Sequence, residues 1–350
     1  MAPTTTKAWT VQGQDGFDSL KFNEQAKIPE MGDMDVLVKI HAASLNYRDL
    51  IIPKGKYPFP MKDNIIPGSD GAGTVESVGK HVTKFKPGDK VVTLFNQGHI
   101  AGSLDAQSLG TGLGGALDGT LREYAVFSEQ GLVHAPSNLN MLEASTLSCA
   151  ALTAWNALYG LESRALKPGD TVLTQGTGGV SIFALQFAKA AGARVIATTS
   201  SAAKADILKK YGADHIINYK DTPNWGEEAA KLTPGGKGVQ HVVEVGGPTT
   251  MAQSLKAVAI DCVITIIGFI GGMSKDQPTF LDCLNNICTV RGILVGSRLQ
   301  MEDMNRAIEV NDIHPIVDEK VFELKDLKDA YQYMWDQKHF GKLTVRVAKE

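Results

Sequence analysis

Residues 171–181 constrain this chain more than any other stretch. They read Thr-Val-Leu-Thr-Gln-Gly-Thr-Gly-Gly-Val-Ser and lead into Ile-Phe-Ala-Leu-Gln-Phe-Ala-Lys-Ala-Ala. An apolar strand runs into Gly176, Gly178 and Gly179, and Val180 then opens an amphipathic helix. Glycine suits such a turn because the backbone must bend sharply and meet a pyrophosphate with no Cβ in the way. The helix start then offers unpaired N–H groups and a positive dipole end to phosphate oxygens. A glycine turn needed only for packing is the alternative. The strand before it, the helix after it and a second strand at 194–199 favour a dinucleotide site, although Ser181 fills the third glycine slot.

The end of that second strand selects the cofactor. Sites for NAD place Asp or Glu about 20 residues beyond the glycines to hold the ribose 2′-hydroxyl. Here the chain reads Thr198-Thr-Ser-Ser-Ala-Ala-Lys204, with no carboxylate to repel a 2′-phosphate. Ser200 and Ser201 can donate hydrogen bonds, and Lys204 adds a charge-assisted contact. Tyr219 follows the next strand and is placed to cover the adenosine. NADPH is therefore expected over NADH, against the plainer reading of a capped helix with a solvated lysine.

Apolar runs at 171–175, 194–199, 215–218, 241–245 and 262–269 alternate with helical segments, the pattern of a doubly wound parallel sheet. The first 150 residues read as β-rich instead, with short runs such as 36–40 and 90–94. Residues 142–159 have a helical texture, and 96–119 form a glycine-dense loop. Helices at 301–310 and 325–337 and a strand at 343–347 complete a tail expected to return to the first domain. The 350 residues, 43% of them hydrophobic, suffice for two cores.

A net charge of -3 gives no footprint for nucleic acid or an anionic membrane. No apolar run reaches the roughly 20 residues of a membrane span. The opening Met-Ala-Pro-Thr-Thr-Thr-Lys lacks the core of a secretory signal, so a cytoplasmic location is expected. Four cysteines, at 149, 262, 283 and 288, are too sparse for a disulfide framework and read as buried thiols.

Ser44-Leu-Asn-Tyr-Arg-Asp49, Pro67-Gly-Ser-Asp-Gly-Ala-Gly73, Phe85-Lys-Pro-Gly-Asp-Lys-Val91, the Gly176 turn and His339-Phe-Gly-Lys342 occur in that order. Together they resemble the zinc-independent branch of the medium-chain dehydrogenase/reductases, which includes quinone oxidoreductases and trans-acting enoyl reductases. The resemblance spans nearly the whole chain. It implies an α/β protein with a GroES-like catalytic domain from 1–150 and 294–350, a Rossmann NADP-binding domain over 151–293, a cleft at their junction and a homodimer. Metal-binding relatives carry cysteine at Asn46, histidine at Ser69 and a third ligand at Cys149. A catalytic zinc ordinarily needs three protein ligands, so the resemblance implies no zinc here. The 96–119 stretch, where relatives hold a structural zinc, contains no cysteine.

Without a metal, preorganised donors must stabilise charge on the acceptor. Conjugation also delocalises that charge, so a quinone or α,β-unsaturated carbonyl is the expected small-molecule substrate. Asn46 and Tyr57 are the candidate catalytic donors, weighed against a turn-stabilising amide and a half-buried aromatic. Tyr47 and Arg48 are candidate contacts to cofactor phosphate, with Asp49 a partner for Arg48. The resemblance further places Thr153, Gly246, Gly268, Phe269, Gly296 and Ser297 near the cofactor. Lys342 reads either as approaching the cleft or as solvated. Two other functions stay open: a metal-free NADP-dependent alcohol dehydrogenase or carbonyl reductase, and a redox-poor NADPH-binding protein.

Overall fold

The computed structural model describes residues 3–59 and 61–349, and the chain divides into two compact units. One is continuous, Thr153–Val295; the other joins the chain up to Leu152 with the chain from Gly296 onward.

Six parallel strands build the continuous unit. Across the sheet they run His215–Asn218, Arg194–Thr199, Thr171–Gln175, Val239–Glu244, Val258–Ile266 and Thr289–Gly292. All five residues of Thr171–Gln175 are buried, as a strand covered on both faces requires. Leu173, Ile196, Val242 and Ile264 share a core with Trp225 and Leu255. Strand order reverses beside Thr171–Gln175, creating the topological switch point where open α/β sheets bind ligands. This is a Rossmann-type sheet.

The other unit is β-rich and GroES-like. Its central strand, Asp35–Ser44, pairs antiparallel with Asp70–Val78, Tyr124–Ser128 and Thr344–Arg346. Alternate residues Val36, Val38 and Ile40 enter a core with Val75, Val91 and Leu132, following the two-residue period of a strand. The tail joins that core: helix Leu327–Trp335 buries Leu327, Ala330 and Tyr331, and Val345 packs beside them.

Two segments differ from their expected form. The strand expected at 262–269 runs Val258–Ile266, because exposed Asp261, with φ +61, masks its first half in the sequence pattern. Helical texture at 142–159 resolves into Met141–Ala144, a π-helical turn at Leu147–Ala151 and helix Leu152–Tyr159. Among the described residues no helix is long and apolar enough to cross a membrane.

Candidate active site

Strand Thr171–Gln175 ends at Gly176, whose φ of +72° is open to glycine at little cost. Helix Gly179–Ala190 then begins, with Gly178 as its N-cap. Gly178 has φ -74°, which any residue adopts, and a Cβ built there meets no atom within 4 Å. Nothing within the chain demands glycine at this point, and a phosphate approaching the helix start would. Gly247 is the opposite case: φ is +81°, and a Cβ would lie 2.9 Å from Phe269 Cα. Ser181 fits the third slot because its hydroxyl turns inward and donates to Gln175 O at 2.6 Å.

Two buried polar side chains tie the switch point together. Gln175 Nε2 donates to Glu244 Oε2 at 2.7 Å, while Gln175 Oε1 accepts from the N–H groups of Val245 and Gly246. Glu244 Oε1 accepts from Gly246 N and Gly247 N, both at 2.9 Å, and from Thr250 Oγ1 at 2.5 Å. A fully buried carboxylate is tolerated because donors surround it. The pair shapes the Gly246 turn, and sequence reading missed it; the signal was a polar residue closing each of two apolar strands.

At the end of Arg194–Thr199, Ser201 caps helix Ala202–Lys210, its Oγ accepting from Lys204 N at 3.4 Å. Ser200 and Lys204 are partly exposed, and no salt bridge engages Lys204 among the described residues. Tyr219 is 42% exposed, and its N–H donates to Thr199 O at 3.1 Å, which brings it beside these residues. Gly268 and Phe269 follow strand Val258–Ile266, with Phe269 exposed, and Thr153 is buried.

In the GroES-like unit, register brings three chain segments together. Ser44 pairs with Asp70 on one side and Thr344 on the other, and Leu45 N donates to Leu343 O at 2.9 Å. Lys342 is 3% exposed. It is not a solvated lysine. Its Nζ donates to Asn46 Oδ1 at 2.6 Å, Leu45 O at 2.9 Å and Asp70 Oδ2 at 3.3 Å. Ser44 Oγ donates to Asp70 Oδ2 at 2.8 Å and Ser69 Oγ to Asp70 Oδ1 at 2.7 Å. Asn46 Nδ2 completes a ring by donating to Ser69 Oγ at 3.4 Å. The cluster went unread because residues 46, 70 and 342 are distant in sequence, although an acid and a cation stood in two of the quoted motifs.

Asn46, Ser69 and Cys149 do not form a zinc set, since only the thiol has strong ligand chemistry. Burial and the nearby Asp70 push that thiol up to about 12, with Lys342 opposing them, so it stays protonated at neutral pH. Among the described residues no group of three or more His, Cys, Asp or Glu side chains is placed to hold a metal.

Arg48 makes its contacts within this unit. Its guanidinium is buried between the rings of Phe95 and Tyr57, 4.7 and 4.9 Å from their centroids, and donates to Leu113 O at 2.8 Å. These contacts turn the side chain toward the protein's own rings and a backbone carbonyl. Arg48 Nε also donates to Tyr57 Oη at 3.3 Å. Asp49 lies 3.8 Å from Arg48, and its shorter contact, 2.8 Å, accepts from Asn46 N. Tyr47 is exposed. Tyr57 lines a cavity of about 320 Å³ with Ile52, Phe59, Met61 and Ile65. Among the described residues no hydrogen bond joins Tyr57 to Asn46. Ser297 is buried and caps helix Arg298–Val310 through Gln300, while a Cβ on Gly296 would crowd Leu152.

Comparison with known proteins agrees with this architecture. Residues 32–137 match the alcohol dehydrogenase GroES-like domain, and 179–310 match the zinc-binding dehydrogenase family. A zinc-type alcohol dehydrogenase-like protein of Schizosaccharomyces pombe is 48% identical over 95% of this chain and 96% of its own. A chloroplastic quinone-oxidoreductase of Triphysaria versicolor is 38% identical over 64% and 63% of the two chains. The crystal structure of a putative alcohol dehydrogenase from Sinorhizobium meliloti 1021 superposes with a TM-score of 0.89 and 38% identity, covering 99% of this chain and 100% of that one. The chain belongs to the medium-chain dehydrogenase/reductase family. It is an oxidoreductase of that family.

Proposed function

We infer that the protein is a zinc-free reductase that uses NADPH to reduce a conjugated acceptor, a quinone or an α,β-unsaturated carbonyl. The observation carrying this reading is the Asn46 amide, held between a buried ammonium and Ser69 where metal-binding relatives have a ligand. It offers a hydrogen-bond donor, and the neighbouring side chains cannot assemble a zinc site.

Gly176, Gly178, Gly179 and Val180 would hold the pyrophosphate, where open space at Gly178 and the helix N-terminus fit an anion. Ser200, Ser201 and Lys204 would receive the 2′-phosphate and Tyr219 the adenosine. Thr153, Gly246, Gly268 and Phe269 would line the rest, with Gly296, Ser297 and Tyr47 as further contacts. When bound, the reduced nicotinamide supplies a hydride.

The chain's own contribution is to orient the acceptor and stabilise its oxygen. A donor aimed at a developing oxyanion contributes about 2.7–4 kcal/mol. Asn46 Nδ2 fills that role, and the Tyr57 hydroxyl supplies a second donor. A quinone or enone gains most because conjugation places the new charge on oxygen. The quinone-oxidoreductase relative supports this acceptor class, whereas the relatives named alcohol dehydrogenases support simple carbonyls.

A homodimer completes the reading. Thr289–Gly292 ends the sheet with one side unpaired. Beside it Ile260, Leu284 and Phe280 are 71%, 71% and 85% exposed, an apolar surface that a second copy would cover.

The deciding experiment is oxidation of NADPH and NADH against quinones, enones, aldehydes and ketones, with products identified before and after chelation. Quinone or enone reduction with NADPH, insensitive to chelator, is expected. Turnover of aldehydes or ketones alone would replace the proposal with carbonyl reduction. Tight NADPH binding without any turnover would leave a binding protein.

A further inference from the structure

An ammonium group only donates hydrogen bonds, so the Asn46 atom 2.6 Å from Lys342 Nζ is the amide oxygen. That assignment orients the whole side chain. With Oδ1 held, Nδ2 is directed away from Lys342, and Ser69 Oγ at 3.4 Å engages no more than one of its two protons. Ser69 is itself committed as a donor to Asp70, so it can only accept from Asn46. Lys342 therefore donates in both directions around the ring, once directly to Asp70 and once through Asn46 and Ser69, and both arms end on the Asp70 carboxylate. The ammonium is matched by three acceptors, Leu45 O, Asn46 Oδ1 and Asp70 Oδ2.

We propose that Lys342 is a positioning residue that sets the donor face of Asn46 and polarises it toward an anionic oxygen on the acceptor. This rests on the reading that a carbonyl oxygen meets Asn46. A cation bonded to the amide oxygen draws electron density from the amide nitrogen and strengthens its N–H as a donor. Burial at 3% exposure keeps the charge from being screened by water. The fold thus sets a fixed positive charge one amide group behind the acceptor. Asp70 keeps that charge in place, since an unpaired buried ammonium would be strongly unfavourable.

The test uses the full-length protein in three forms. Lys342→Met with Asp70→Asn removes both charges together and leaves no lone buried ion. Turnover with the best acceptor is expected to fall about 10²-fold or more, with the NADPH dissociation constant changed less than about threefold. Lys342→Arg should recover at least about tenfold of that loss. Asn46→Asp keeps an oxygen for Lys342 but loses the NH₂ donor. It should melt at or above the unaltered protein and lose as much turnover as the neutral pair. If Asn46 served only to cap the next helix, this variant would stay active.

An atomic-resolution crystal structure of the double variant supplies a readout independent of turnover. Rotation of the Asn46 amide, or two orientations of it, is expected. An unmoved amide, or turnover within about twofold of the unaltered protein, overturns the proposal. Should the double variant not fold, Lys342→Arg and Asn46→Asp decide it: active Asn46→Asp protein overturns the proposal. Absence of turnover by the unaltered protein would remove the reductase reading, and the Asn46 orientation would still decide the role of Lys342.

Discussion

The two units build their candidate sites in different ways. In the Rossmann unit the glycine turn read as a phosphate site is eleven consecutive residues, 171–181, and its geometry follows from local order. In the GroES-like unit the Asn46 cluster draws on residues 44–46, 69–70 and 342, joined by strand register. A contiguous turn depends on backbone shape and on leaving space open. An assembled cluster depends on charge matching inside a finished core. Substitutions in the first should therefore weaken ligand binding with little effect on folding, and substitutions in the second should couple chemistry to stability.

The sharpest challenge to that contrast is Gly178→Val. The added Cβ meets no atom of the protein within 4 Å, and the side chain enters the space read as the phosphate site. NADPH affinity should drop by about 10²-fold, equal to about 2.7 kcal/mol, while the melting temperature stays close to that of the unaltered protein. Unchanged affinity in a fluorescence titration would remove the cradle. Next in size, Lys204→Ala should weaken NADPH by about 10- to 100-fold, from the roughly 1.5–3 kcal/mol of a charged hydrogen bond. NADH should barely change, and equal losses for both would detach Lys204 from the 2′-phosphate.

Gly247→Ala tests the Rossmann unit from the other side. Its positive φ and the nearby Phe269 backbone should cost about 1–3 kcal/mol of stability. A variant that melts normally would mean the turn relaxes freely.

The smallest effect is a pH dependence in the GroES-like unit. Burial pushes the Asp49 carboxyl up from 3.8 to about 6, with Arg48 only partly offsetting it. A carboxyl raised by folding favours the folded state most below its ordinary value, and this contribution is lost as pH rises through about 6. Asp49→Asn should therefore gain in melting temperature relative to the unaltered protein between pH 4 and pH 8. A constant difference across that range would show that Asp49 does not titrate as its surroundings require.

The contrast also explains what was legible in the sequence. Strands Thr171–Gln175, Arg194–Thr199 and His215–Asn218 lie where their apolar runs placed them. Thr289–Gly292 escaped notice because its residues are only half-buried or exposed and form no apolar run. The setting of Arg48 was not legible because the sequence records a charge but not the Phe95 and Tyr57 rings that enclose it. Lys342 was left undecided for a related reason. A lysine near a chain terminus is ordinarily solvated, and only pairing of the last strand with Asp35–Ser44 turns its ammonium inward.

That last strand has a consequence for synthesis. Residues 35–46 leave the ribosome some three hundred positions before the Thr344–Arg346 strand that completes their sheet. The stretch between contains a compact unit able to condense first from its own contacts. A nascent chain stopped shortly before Lys342 would thus carry a finished nucleotide fold and, in the other unit, a central strand missing its Thr344–Arg346 partner, with Asp70 lacking its counter-ion. Quality control acting on such fragments would recognise the unfinished β-rich portion, since that is where the missing terminus leaves its gap.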